Sequence, residues 1–238
     1  MAKVSKNSSA EKRSAHQEQL IYERIFDVIL DQKLAPGARL TEEALGEIFG
    51  VSRTIIRRVL LRLSHEGVVE IKPNRGASVT STPVSDVDQY FEARRVIEGA
   101  IIRMAAGRAS DYEINDLRSL IGEEKRYYES QTRGKGLRTS NEVHFRIAAL
   151  AGNEPLADVA RQLISRTALI ISQYQDASQS ACAYCDHTAL VDALEAGDPD
   201  KAEHLMVEHI DHIRHTLHLS EESAPIDLFD IFSDDGEA

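Results

Sequence analysis

The chain has 238 residues, 42% of them hydrophobic, and a formal net charge of −11, which is enough apolar material for a core and no signature of wholesale disorder. No apolar run approaches the roughly 20 residues of a membrane span, the polar start Met1–Arg13 does not read as a secretory signal, and two cysteines build no disulfide framework, so a reducing cytoplasm is expected. The charge is uneven: residues 1–80 hold 13 Lys/Arg against 10 Asp/Glu, a net of +3, and the remainder carries −14, so only the first third is suited to meet phosphate.

In chain order, residues 1–15 read as a flexible polar arm. From Glu18 to Leu30 the apolar Leu20, Ile21, Ile25, Val28 and Ile29 recur at helical spacing. Ala35-Pro36-Gly37 breaks that helix, and Thr41 caps a short second one with Glu42 and Glu43 in its first turn, ending near Phe49-Gly50. Ser52 caps a third from Arg53 to about His65, closed by Gly67. Val68, Val69 and Ile71 face Ala77 and Val79 across Pro73-Asn74-Arg75-Gly76, a β-hairpin. Three helices and a hairpin in about 65 residues make a winged helix-turn-helix over 16–80. A linker at 81–86 leads to an all-helical antiparallel bundle over 87–219, with helices expected at 86–107, 111–131, 138–151, 155–175, 186–196 and 199–218. Seven acids and no bases from Glu221 onward read as a disordered acidic tail, 220–238. The fold class is mainly α, a winged helix-turn-helix followed by a helical bundle.

On the third helix a 100° wheel places Ile55, Ile56, Val59, Leu60 and Leu63 inward and Arg53, Thr54, Arg57, Arg58 and Arg62 outward. A charged face alone is usually a solvated one. Between a tight turn and a wing, this one suits a major groove, where arginine pairs with guanine in two-point contact. Arg75 and Gly76 at the hairpin tip would touch the DNA backbone or minor groove. The candidate DNA-binding set is Thr41, Ser52, Arg53, Thr54, Arg57, Arg58, Arg75 and Gly76.

In the bundle, Arg94 and Glu98 fall within the apolar stripe of the 86–107 helix, as an internal i, i+4 pair, as an anion-binding pair, or as both together; they are the candidate effector-binding residues. His144, His187 and His209 share faces with aliphatic residues on three different helices, whereas His204, His215 and His218 lie on a polar side. One inward histidine is ordinarily a hydrogen-bonded core residue; three on facing helices can converge on one metal. Cys182 and Cys185 form a lone CxxC, which is weak evidence for zinc or redox chemistry, and they read as incidental.

Leu34-Ala35-Pro36-Gly37-Ala38-Arg39-Leu40, Phe49-Gly50-Val51-Ser52-Arg53-Thr54 with Arg57, Glu66-Gly67 and Arg75-Gly76 resemble the GntR family of bacterial regulators. Two departures are Ile55, where the family usually has Pro, and Arg58, where it has an acid. Residues 87–218, through Arg94-Arg95-Val96-Ile97-Glu98, His144-Phe145-Arg146-Ile147, Ala151-Gly152-Asn153, Asp186-His187 and Met206 with His209, resemble the helical ligand-binding (FCD) domain of the FadR subfamily.

That resemblance implies a homodimer on a palindromic operator, most often a repressor, released by a small effector, expected here to be a carboxylate. It also places the three histidines at the metal positions. The family's Asp one turn before the first histidine is Ser140 here, beside Asn141, so three imidazoles remain, a set suited to Zn²⁺ or Ni²⁺. Two rivals are a metal-dependent hydrolase, which lacks a general base or nucleophile near the histidines, and a constitutive DNA-binding protein whose bundle serves dimerisation only. No enzymatic activity and no membrane association are expected.

Overall fold

The computed structural model describes residues 2–73, 75–175 and 183–219; the acidic tail 220–238 and Cys182 lie outside them. The described residues divide into two compact units: 2–29 with 33–81, and 30–32 with 82–219.

In the first unit, α1 spans Ala2–Leu30, α2 Glu42–Ile48 and α3 Arg53–His65, with β1 Arg39–Leu40, β2 Val69–Lys72 and β3 Gly76–Val79. Helical backbone begins at Ala2, earlier than the Glu18 onset expected, and takes in the residues read as an arm. Apolar periodicity marks only the stretch that packs, while the residues before it include the helix formers Ala, Lys and Glu and no Gly or Pro. The packed face is Ile21, Tyr22, Ile25, Phe26, Val28 and Ile29; Leu20, expected inward, is 52% exposed. On α3 the buried residues are Ile56, Val59, Leu60 and Leu63, and Ile55 is only half-buried at the helix start.

The three strands form an antiparallel sheet in the order β1-β3-β2, with Val69 opposite Val79, Ile71 opposite Ala77 and Leu40 opposite Ala77 from the other side. β1 is absent from the sequence-based expectation because two residues carry no period. Between α2 and α3 the backbone reverses at Gly50, whose φ of +61° a side chain would disfavour.

Among its described residues the second unit is a bundle of six helices: α4 Val87–Ala105, α5 Asp111–Glu129, α6 Arg133–Leu150, α7 Glu154–Tyr174, α8 Ala183–Glu195 and α9 Pro199–His215. The expected linker contains a short 3₁₀ turn, Val84–Asp86. α4 lies against α6, α7 and α9, while α5 and α8 pack on each other and α5 also on α6. Side-chain caps fix several starts: Ser110 and Glu113 form a capping box, Asn153 accepts from Leu156 N, and Asp198 accepts from Lys201 N ahead of Pro199. α6 starts five residues before the expected Arg138. Gly134 and Gly136 lie in its first turn, and the Tyr128 ring lies 2.9 Å from where a Cβ of Gly136 would sit, so this glycine permits close helix packing.

Candidate nucleic-acid interface and histidine centre

The first unit presents α3 as expected. Thr41 Oγ1 accepts from Ala44 N at 3.2 Å and fixes the start of α2. Ser52 occupies the N-cap position of α3 with extended backbone, but its hydroxyl makes no capping bond, contrary to expectation; the exposed oxygen remains available to an outside donor. Arg53, Thr54, Arg57 and Arg58 are all exposed on the face opposite the buried aliphatic row.

Each arginine of that face has an acidic partner. Arg53 Nη2 meets Glu43 Oε1 at 2.8 Å, and Arg58 Nη2 meets Glu18 Oε1 at 2.6 Å. Arg57 donates from Nε and Nη2 to the two oxygens of Glu42, both at 2.8 Å. That hydrogen-bonded grip is the main reason Glu42 titrates below the ordinary carboxylate range and Arg57 above the ordinary guanidinium range. Arg62 stacks on the Tyr22 ring, 3.7 Å from its centroid, and donates to Gln19, while the Tyr22 hydroxyl donates to buried Glu66. Arg62 therefore braces α3 against α1. Arg75 and Gly76 sit at the wing tip, exposed, and with Thr41, Glu42 and Arg57 they line a groove of about 360 Å³ whose apolar wall includes exposed Leu61 and Ile71.

The second unit brings the three histidines together. His144 on α6, His187 on α8 and His209 on α9 are at most 3% exposed, and one ligand atom from each falls within 4.8 Å of the others. His144 Nε2 is 3.2 Å from His187 Nε2 and 3.3 Å from His209 Nε2. On the far side, each Nδ1 faces a carboxylate: Glu98 at 2.6 Å from His144, Glu124 at 2.8 Å from His187, and Asp186 at 3.2 Å from His209. Nδ1 of His187 and of His209 is hydrogen-bonded to its carboxylate, which favours the proton on that nitrogen, whereas His144 Nδ1 lies close to Glu98 Oε2 without a hydrogen bond; the Nε2 atoms of all three rings face a shared space.

The electrostatics follow from burial. Burial penalises the charged imidazole and holds His144 below its usual range and His209 at about 3, outweighing the neighbouring carboxylates. Burial alone would raise Glu98; the Arg94 guanidinium, followed by His144, reverses that and holds it at about 2. Arg94 is 2% exposed, with Nε 2.5 Å from Glu98 Oε1 and Nη1 2.9 Å from Thr167 Oγ1. The expected effector pair is therefore joined to itself and braces His144. Ser140 and Asn141 are buried on the same helix, and the Asn141 amide nitrogen has no hydrogen-bond partner.

Sequence reasoning missed Glu124, Asp186 and Thr167 as site residues. Glu124 had a usable signal: it continues the inward row Ile114, Leu117, Ile121 on α5, as Glu98 does on α4. His204, His215 and His218 are exposed as expected, and Cys185 is exposed and unbridged.

A winged helix-turn-helix carrying outward arginines, joined in one chain to a helical domain built around a buried polar centre, defines a two-domain type of DNA-binding protein. Residues 17–79 match the family described as bacterial regulatory proteins, gntR family, and residues 89–212 match the FCD domain. The chain belongs to the GntR family and is a DNA-binding transcriptional regulator with an FCD domain, not an enzyme. It is 28% identical over 175 residues to the Nta operon transcriptional regulator of Aminobacter aminovorans, covering 74% of this chain and 82% of that one. It is 22% identical over 200 residues to the HTH-type transcriptional repressor RspR of Escherichia coli K12, covering 84% and 88%. The solved structure of E. coli McbR/YncC shares the fold at a TM-score of 0.68 and 19% identity, over 82% of this chain and 93% of that one. Among the described residues no helix is long and apolar enough to cross a membrane.

Proposed function

We propose that this regulator is a repressor that binds a palindromic operator as a homodimer, with Arg53, Thr54, Arg57 and Arg58 reading the major groove and Thr41, Ser52, Arg75 and Gly76 contacting the backbone. We further propose that His144, His187 and His209 hold a divalent cation of the zinc or nickel class, and that a small carboxylate effector reaching this centre lowers operator affinity.

The observation that carries the second reading is that His144 Nε2 lies 3.2 Å from His187 Nε2 and 3.3 Å from His209 Nε2, with one ligand atom from each residue within 4.8 Å of the others and each imidazole beside a carboxylate. Donors held at 2.0–2.1 Å from a tetrahedral ion lie roughly 3.3 Å apart. The charge fits as well: among the described residues Arg94 is the permanent cation paired with these three carboxylates, through Glu98, while exposed His212 lies 3.5 Å from Asp186, so a divalent cation would offset the remaining buried negative charge. When bound, the ion supplies a Lewis-acidic anchor for an anion. The chain's own residues do the rest: Glu124 and Asp186 set the tautomers of His187 and His209, and Arg94 with Thr167 fixes Glu98. Such coupling between sites is typically worth 1–3 kcal/mol, or about 5–150-fold in operator affinity.

The test is a selection of duplexes from a random library with purified protein, followed by titration of the selected duplex with zinc-loaded and chelator-treated protein against a panel of di- and tricarboxylates. Release by at least one carboxylate only when zinc is loaded is the expected result. Equal DNA binding under every condition would overturn the effector reading and leave a constitutive DNA-binding protein.

A further inference from the structure

The four arginines on the exposed face of α3 are not held alike. Arg53 touches Glu43 through a single atom pair, with the two side chains 63% and 76% exposed, a contact that phosphate readily displaces. Arg57 is held at two points by Glu42, which sits in the first turn of α2 behind the Thr41 cap and is itself only 32% exposed. A guanidinium has five N–H donors in a planar fork. The grip uses the Nε–H and one Nη2–H, leaving the far edge, formed by Nη1 and the second Nη2–H, directed away from Glu42. That edge matches the O6 and N7 acceptors of guanine in the major groove.

We propose that Glu42 is a positioning residue for base readout: it locks Arg57 by one edge so that the other edge selects guanine and discriminates against phosphate. This rests on the reading of α3 as the groove-reading helix. The physical basis is charge. The Arg57–Glu42 pair carries no net charge, so a phosphodiester on the far edge brings its negative charge beside a carboxylate and gains little. A guanine edge is neutral and needs only two aligned donors. The pair also orders Arg57 before DNA arrives, so the side chain loses less freedom when it meets its base. Glu42 thereby converts an arginine that would bind any phosphate into one that recognises a base, at the position where the groove beside Leu61 and Ile71 opens.

The experiment is duplex selection from a random library with the full chain as wild type and as Arg57→Ala, Glu42→Gln, Glu42→Asp and Glu47→Gln. Glu47 is an exposed acid on the same helix, so its variant removes the same charge away from the arginines. Arg57→Ala should erase one guanine column of the selected motif; if it erases none, the groove-reading assignment of Arg57 falls and this proposal falls with it. Given that loss, Glu42→Gln should blur the same column alone, lower the ratio of selected to scrambled duplex affinity about tenfold, and steepen the salt dependence by about one phosphate contact. Glu42→Asp, which keeps the charge but shortens the reach, should blur the column without raising scrambled-duplex affinity. Glu47→Gln should leave the column intact and the ratio within about twofold. An intact guanine column in Glu42→Gln, or equal effects from Glu42→Gln and Glu47→Gln, would overturn the proposal.

Discussion

Glu124→Gln tests the histidine centre because it should move two quantities in opposite directions. Glu124 is fully buried; its Oε2 lies 2.8 Å from His187 Nδ1 and its Oε1 has no hydrogen-bond partner. Among the described residues His187 is its only ion-pair partner, and burial of an incompletely satisfied carboxylate opposes folding. Glutamine keeps an acceptor oxygen for the Nδ1–H and removes the charge. Metal-free protein should therefore gain about 1–3 kcal/mol, the scale of relieving an unsatisfied buried group, which is a rise of roughly 2–10 °C in Tm for a chain of this size. Zinc affinity should fall about 10–100-fold, because the lost carboxylate no longer raises the basicity of the ligating imidazole. Calorimetric melting in chelator gives the first quantity, and competition against a chromophoric zinc chelator gives the second. A variant that melts lower without metal, or binds zinc as wild type does, would show that Glu124 is structural and that His187 is not a ligand.

Arg53→Ala should abolish binding to the selected duplex and Arg57→Ala should weaken it by the loss of one base contact, both with an unchanged melting profile, since both side chains are exposed; a normal footprint and affinity for either variant would remove that arginine from the readout set. His187→Ala with His209→Ala should lower bound metal in elemental analysis of purified protein, and unchanged content would refute the site. Arg94→Ala strands buried Glu98 and should cost about 3–5 kcal/mol in denaturant unfolding, with Arg94→Met/Glu98→Gln recovering most of it; a loss below about 1 kcal/mol would remove Arg94 from the charge network. Acid should destabilise the metal-free protein through three groups. The folded values of His144 and His209 lie below 6.5, so their contribution is full above that pH and fades as pH falls, for His209 down to about 3. Glu98, held at about 2 against 4.5, adds a further loss below 4.5. Each depressed histidine costs about 1.4 kcal/mol per pH unit in that window, and a Tm that stays flat from pH 6.5 to 4.5 would contradict the burial argument.

The elements that sequence reading placed well are those with both a period and a stop signal. α3 and α9 have an aliphatic stripe, a capping residue or proline at the start, and a definable end, and their observed bounds fall within a few residues of expectation. The misses lie where one signal was absent or ambiguous. β1 is two residues long and exists because β3 offers it a partner, a long-range fact. α6 begins in a glycine-containing stretch, and the reason glycine is tolerated there is the Tyr128 ring from the preceding helix, which no local window contains.

The same distinction separates the visible half of the histidine centre from the hidden half. Imidazoles on aliphatic faces are conspicuous because a polar ring on an inward stripe needs a reason, so all three were found and all three converge. Their carboxylates follow the same rule only in part. Glu98 stood out beside Arg94, yet its two plausible roles, ion pairing and anion binding, could be separated only by seeing that one oxygen meets Arg94 and the other lies 2.6 Å from His144. Asp186 is half-exposed and adjacent to His187 in sequence, so nothing local marks it as a site residue; it reaches His209, whose helix lies beside α8. Sequence therefore exposes which groups must be paid for by burial, while the assignment of partner to partner belongs to the crossing of helices.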